Sequence, residues 1–194
     1  MSAYWHDKEN IGTKGSLLDL FFKYAPDESK EHAIYVFSEV LKTKKIKKKS
    51  KEWQKLKKFW KHLVENYNDK TLYRFVSWLK YLPRDENVQD LAHLIKPVAL
   101  HLPQNDFFYS EKLMNFLYTN YKLCTKETLS FLWDFLDSRK SIHFPLDKRY
   151  PIEDILREGK KQSRSCVEIS DYQSKIVNRL GEMGHIEFRD FLPD

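Results

Sequence analysis

The sequence predicts an all-α protein of about eight helices, paired as α–α hairpins, and three observations predict it. Apolar residues recur at i, i+3, i+4 and i+7 through most of the chain, the period of helices that bury one face. Gly (5) and Pro (7) are few among 194 residues, which argues against a sandwich, a barrel or a loop-rich phosphate-binding fold. No stretch alternates apolar and polar residues as a half-buried strand does. An aromatic content of 15% supplies a core, and a chain of this length is read as one domain.

The elements follow in order. Residues 1–15 are a polar, irregular lead-in apart from Tyr4 and Trp5. Ser16 caps a short apolar helix of Leu17, Leu18, Leu20, Phe21, Phe22 and Tyr24 that stops before Pro26. Asp27 caps the next, whose face is Ala33, Ile34, Val36, Phe37, Val40 and Leu41. A basic connection, residues 42–51, leads to Ser50 as the cap of a third helix facing inward with Trp53, Leu56, Phe59, Trp60, Leu63, Val64 and Tyr67. Asn68 or Asp69 opens a fourth helix, with Leu72, Tyr73, Phe75, Val76, Trp78, Leu79 and Leu82 apolar and Pro83 ending it. Asn87 begins a fifth, Val88 to Leu102, which Pro97 is expected to kink or split.

Phe107, Phe108 and Tyr109 fall in a short link before a sixth helix at about Ser110–Tyr121. Thr125 caps a seventh, with Leu129, Leu132, Trp133 and Leu136 on its face and fraying near Arg139. One or two helical turns follow at Ile152–Arg157. Glu158–Ser170 holds little to bury and reads as a mobile loop. A last helix, about Asp171–Leu180, stops at Gly181 or Gly184 and caps the domain with Phe188 and Phe191. The expected organisation is thus the lead-in 1–15, a helical-repeat region 16–140 and a loop with a capping helix, 141–194, in the same domain. Starts near 16, 50, 87 and 125 lie 34, 37 and 38 residues apart. That spacing reads as an irregular HEAT-like solenoid, with a compact irregular bundle as the alternative.

The charge is unevenly placed. Lys42 to Lys61 carries eleven lysines and one acid, Glu52, so +10 of a total of +6 sits in twenty residues and the remaining 174 sum to −4. Lys44, Lys45, Lys47, Lys48, Lys49, Lys55 and Lys58 are therefore the candidate contacts for an anion or a nucleic acid. The competing reading is a solvated linker and the outer face of an amphipathic helix. Lysines without arginines suit phosphate contacts and not base readout. Phe107, Phe108 and Tyr109 are the candidate protein contact, since three consecutive aromatics do not all point inward.

No catalytic constellation emerges, and neither a cofactor nor a metal site is expected. Asp90, His93 and His101 do not supply three convergent ligands. Ser165 and Cys166 lack a nearby base. In Gly12-Thr13-Lys14-Gly15-Ser16 the Lys precedes the second Gly and no strand leads in. Asp134 and Asp137 share a helix face without further support. Cysteines 42 residues apart exclude a disulfide framework. The absence of a long apolar run or signal-peptide pattern gives the expectation of a cytoplasmic protein without a membrane span.

Three stretches resemble a known architecture. They are Leu17-Leu18-Asp19-Leu20-Phe21-Phe22-Lys23-Tyr24-Ala25-Pro26-Asp27-Glu28 with His32-Ala33, then Phe75-Val76-Ser77-Trp78-Leu79, then Ile176-Val177-Asn178-Arg179-Leu180-Gly181-Glu182-Met183-Gly184 with Phe188-Arg189-Asp190-Phe191-Leu192. Together they are similar to the C-terminal helical tail of large bacterial signal-transduction-type P-loop NTPases, a group linked to defence against phage. The resemblance implies a non-catalytic helical-repeat scaffold for sensing or protein contact, with the NTPase site elsewhere. Two features depart from that pattern: the sequence given holds no NTPase domain, for which a stand-alone or truncated relative, or a piece of a longer product, is the expectation, and the lysine run is unusual for such tails. The resulting expectation is a non-enzymatic protein-binding scaffold, with sequence-nonspecific nucleic-acid binding through Lys42–Lys61 as the alternative.

Overall fold

A computed structural model describes residues 15–44, 47–67, 70–83, 86–104, 106–142 and 150–193. Among the described residues the protein is all helical and contains no strand. The ten helical elements among the described residues fall into two compact units, Met1–Glu86 and Asn87–Asp194.

The first unit holds α1 (Leu17–Tyr24), α2 (Asp27–Lys44), α3 (Lys51–Asn66) and the 3-10 helix η1 (Lys70–Tyr81). Ser16 and Ser50 cap α1 and α3 as expected, each hydroxyl accepting from a backbone N–H three residues on, at 3.2 Å. Asp27 instead lies inside the first turn of α2, where Pro26 supplies the carbonyl that Ser29 and Lys30 donate to. The expected fourth α-helix is the 3-10 element η1, and its sequence explains the change. Leu72-Tyr73-Arg74, Phe75-Val76-Ser77 and Trp78-Leu79-Lys80 repeat an apolar–apolar–polar triplet. At three residues per turn such triplets line up, so Leu72, Phe75 and Trp78 form one buried row while Val76 and Leu79 form a second.

The core of this unit is aromatic. Phe59 of α3 meets Phe22 of α1 and Phe37 of α2, with ring centroids 5.4 and 5.6 Å apart. Trp60 stacks on Phe75 at 5.2 Å, and Trp78 stands edge-on to Phe75 at 4.5 Å. Hydrogen bonds then tie η1 to α2: Trp78 Nε1 donates to the Ile34 carbonyl at 3.0 Å, and Arg74 pairs with Glu31 at 2.7 Å.

The second unit contains α4 (Val88–Leu100), α5 (Phe107–Asn120), α6 (Thr125–Asp137), α7 (Tyr150–Ser163), α8 (Val167–Glu182) and the 3-10 helix η2 (Ile186–Phe191). Within it α4 packs on α6 and α6 on α8, while α5 packs on α7 and α7 on η2. Alternate helices therefore form two layers, the layering shared by stacked α-hairpins. The first members of successive pairs start at Leu17, Lys51, Val88, Thr125 and Val167, which are 34, 37, 37 and 42 residues apart.

Several expected boundaries move in this unit. Asn87 caps α4 as read, accepting from Asp90 N at 3.0 Å, but Pro97 does not split the helix, which continues to Leu100 with Val98 and Ala99 buried. Phe107, Phe108 and Tyr109 are no link. They form the first turn of α5, because Asp106 accepts from Tyr109 N at 3.0 Å and sets the cap there. Thr125 is the first residue of α6, not its cap; its hydroxyl donates to the Tyr121 carbonyl and Cys124 occupies the cap position.

The segment expected to be mobile, Glu158–Ser170, is helical at both ends as part of α7 and α8. What it lacks in apolar residues it makes up in polar ties. Gln162 Nε2 donates to Thr125 Oγ1 and to Glu158 at 2.9 Å each, and Gln173 Nε2 donates to the carbonyls of Leu156 and Phe191 at 2.8 Å. Gly159 makes this possible, since a Cβ there would lie 2.2 Å from Gln173 Oε1. The Gly159 Cα–H accordingly points at that oxygen, which is otherwise buried and unpaired. α8 ends in a Schellman turn: Gly184 adopts φ +94°, and the N–H groups of Gly184 and His185 reach Gly181 and Leu180.

Candidate functional site

Among the described residues the basic face starts at Lys47 and runs along α3. Lys44 is the last residue of α2, and Lys45 lies outside the described residues. Lys47–Lys49 form a turn closed by the bond from Ser50 N to the Lys47 carbonyl, 2.9 Å, and by Gln54 Nε2 on the Lys48 carbonyl, 2.6 Å. Lys47 and Lys49 are exposed and Lys48 is half-buried. On α3, Lys51 and Lys58 are exposed and Lys55 is half-exposed, at positions i, i+7 and i+4 of one stripe. The opposite face is spent on the core: Trp53, Leu56, Phe59, Trp60 and Leu63 are all buried.

Not every lysine is available. Lys42 pairs with Glu39 at 3.4 Å and Lys61 with Glu65 at 3.7 Å. Lys57 turns inward to the buried carboxylate of Glu86 at 3.4 Å, which also accepts from Trp53 Nε1 at 2.6 Å. Lys47, Lys49, Lys51, Lys55 and Lys58 meet no counter-charge among the described residues. The first unit carries 19 Lys+Arg against 12 Asp+Glu, a charge of +7, and the second carries 15 against 16, or −1.

The aromatic triplet separates. Tyr109 is buried, whereas Phe108 stands 57% exposed with Lys112 Nζ 3.8 Å from its ring centre. Among the described residues of the second unit the largest apolar exposures are elsewhere, at Leu123 (80%) and Val167 (85%), beside the starts of α6 and α8. Of the other singled-out residues, Asp134 pairs with Lys96 at 2.6 Å, Cys166 occupies the cap position of α8, and Gly15 adopts φ +81°. No group of three potential metal ligands exists among the described residues, and none of their helices is long and apolar enough to cross a membrane.

A polar cluster that the sequence reading passed over joins α1 to α3. Asp19 is buried and accepts from Tyr67 Oη at 2.5 Å, His62 Nε2 at 2.7 Å and Gly15 N at 2.7 Å. Burial pushes its carboxyl up, yet the bonds from Tyr67, His62 and Gly15 outweigh it and hold the group at about 2. Burial and the Asp19 contact push the Tyr67 hydroxyl up to about 12. Asp19 stands inside the apolar run Leu17–Tyr24, a hint that it is buried, but its partners lie 43 and 48 residues away. No family model, curated protein or solved structure matches the chain.

Proposed function

We propose that the Met1–Glu86 unit is a non-enzymatic binding module for a polyanion, with the Lys47–Lys58 face as its contact surface. One observation carries this reading: five lysines without counter-charges sit on and just before the first turns of α3. Helix stability alone opposes that placement. The N-terminal end of a helix is already its positive pole, where cations destabilise, and like charges at i, i+4 repel. A bound anion reverses both costs. The test is retention on heparin by the full chain against the variant K47E/K49E/K55E/K58E. Retention should be lost with the helical circular dichroism unchanged; equal retention by both proteins overturns the proposal.

A second reading, protein contact, is favoured by the exposed Leu123 and Val167 of the other unit, and it agrees with what the resemblance to NTPase tails implies. Serine at both positions tells the two apart, because it removes protein contact and leaves heparin retention untouched.

A further inference from the structure

The geometry points to double-stranded nucleic acid as the polyanion, held through its phosphate backbone without regard to sequence; this rests on the reading of the α3 face given above. Three features of the face select this ligand.

The first is the absence of a stacking surface among the described residues of α3. Single-strand binders combine basic grooves with aromatic side chains on which bases stack. On α3 the rings of Trp53, Phe59 and Trp60 are at most 1% exposed and belong to the core. The exposed Tyr35 belongs to α2, near Lys42, whose charge is shared with Glu39. A single strand therefore meets lysines, Glu52 and Gln54 on this face and no ring among its described residues, and it must be ordered to do so.

The second is rigidity and spacing. Lys51, Lys55 and Lys58 lie on one stripe spanning roughly 10 Å at ~1.5 Å per residue, and two hydrogen bonds pin the preceding turn. A fixed row of charges matches a fixed row of phosphates, and a duplex presents about one charge per ~1.7 Å of its axis, twice the density of one strand. No arginine occurs between Lys42 and Lys61, so the bidentate fork that reads guanine edges is missing.

The third excludes a lipid surface. A membrane-binding amphipathic helix needs its apolar face for the acyl boundary, and here that face is buried in the protein. The residues between the lysines on the outer side, Glu52 and Gln54, are exposed and polar.

The experiment is fluorescence anisotropy with the full chain and three probes: a 20-base-pair DNA duplex, one of its strands, and vesicles containing phosphatidylserine. It is run from ~50 to ~200 mM salt. Five lysines on phosphates predict a log–log salt slope of about 4 to 5 on the duplex, hence a loss of roughly 500-fold across that range. The duplex should bind at least about tenfold more tightly than the strand, and a duplex of unrelated sequence should bind equally. K55Q/K58Q should lower the slope by about two. A strand that binds as tightly as the duplex, or vesicles that bind more tightly than either, overturns the duplex assignment while leaving the polyanion face in place. Failure of every probe together with failure on heparin removes the underlying reading as well.

Discussion

The two units tie down their buried polar groups differently. The first hides carboxylates and satisfies them with side-chain donors: Asp19 takes Tyr67 and His62, and Glu86 takes Trp53 and Lys57. The second hides a guanidinium and an amide and aims them at main-chain carbonyls. Arg139, 2% exposed, donates to the carbonyls of Leu102, Pro103 and Gln104 at 3.2 to 3.4 Å, just past the C-terminal end of α4. Gln173 spans from α7 to η2 in the same way. Asp19, held well below the usual carboxylate range by its donors, makes the first core respond to protons. A guanidinium on carbonyls stays charged at any pH a protein meets, so the second core should not respond.

The largest effect is expected from breaking the second kind of tie. Arg139→Ala removes the side-chain donors of the Leu102 and Gln104 carbonyls, leaves Pro103 with only Asp106 N, and removes the cation stacked 4.2 Å over Phe135. It should cost about 3 kcal/mol in urea unfolding. Lysine should rescue little of this, because a single ammonium does not reproduce the fork that reaches three carbonyls. A loss of only a few tenths of a kcal/mol for Arg139→Ala would mean that its bonds to the carbonyls do not hold this unit and that the contrast between the units is false.

How much of this was legible follows from the range of each interaction. Caps written in adjacent residues, Ser16, Ser50 and Asn87, are local and were readable. The triplet rhythm of η1 is also on the page, but over nine residues it satisfies an α-helical pattern too, and Tyr73 and Arg74 are only half-buried. Glu158–Ser170 misled for the opposite reason: its helices are held by Gln162 and Gln173, whose partners lie up to 37 residues away. The lysine run was plain, yet the division between Lys57, drawn inward by Glu86, and the unpaired Lys55 and Lys58 depends on a contact 29 residues distant. Arg139 was read as a fraying end because nothing near it in sequence announces the carbonyls it serves.

Acid should sharpen the comparison with a smaller effect. The folded pKa of Asp19, about 2, lies below its ordinary value of 3.8, so its contribution is complete above pH 3.8 and is lost as the pH falls toward 2. After allowance for solvent screening that amounts to on the order of 1 kcal/mol. Tyr67 acts at the other limit: raised from 10 to about 12, it supports the fold below pH 10 and withdraws that support as the pH climbs to 12. Asp19→Asn should flatten the acid side by that amount in urea melts at pH 5 and pH 2.5. An unchanged acid slope in Asp19→Asn would place the proton sensitivity outside this cluster.

The smallest expected effect has the most diagnostic sign. If Lys51 and Lys55 were only a solvated face, replacing them with glutamine should leave stability and every binding property where they are. Their position near the positive pole of α3, four residues apart with Glu52 as the one acid of that turn, says otherwise: each is a cation placed where a helix is better off without one. K51Q/K55Q should therefore raise stability by a few tenths of a kcal/mol, about a degree in Tm, while duplex affinity falls and the salt slope drops by about two. Stability and binding moving in opposite directions is the signature of charge retained for a ligand at the expense of the fold. A variant that is both less stable and unchanged in binding would return these lysines to the ordinary surface of an amphipathic helix.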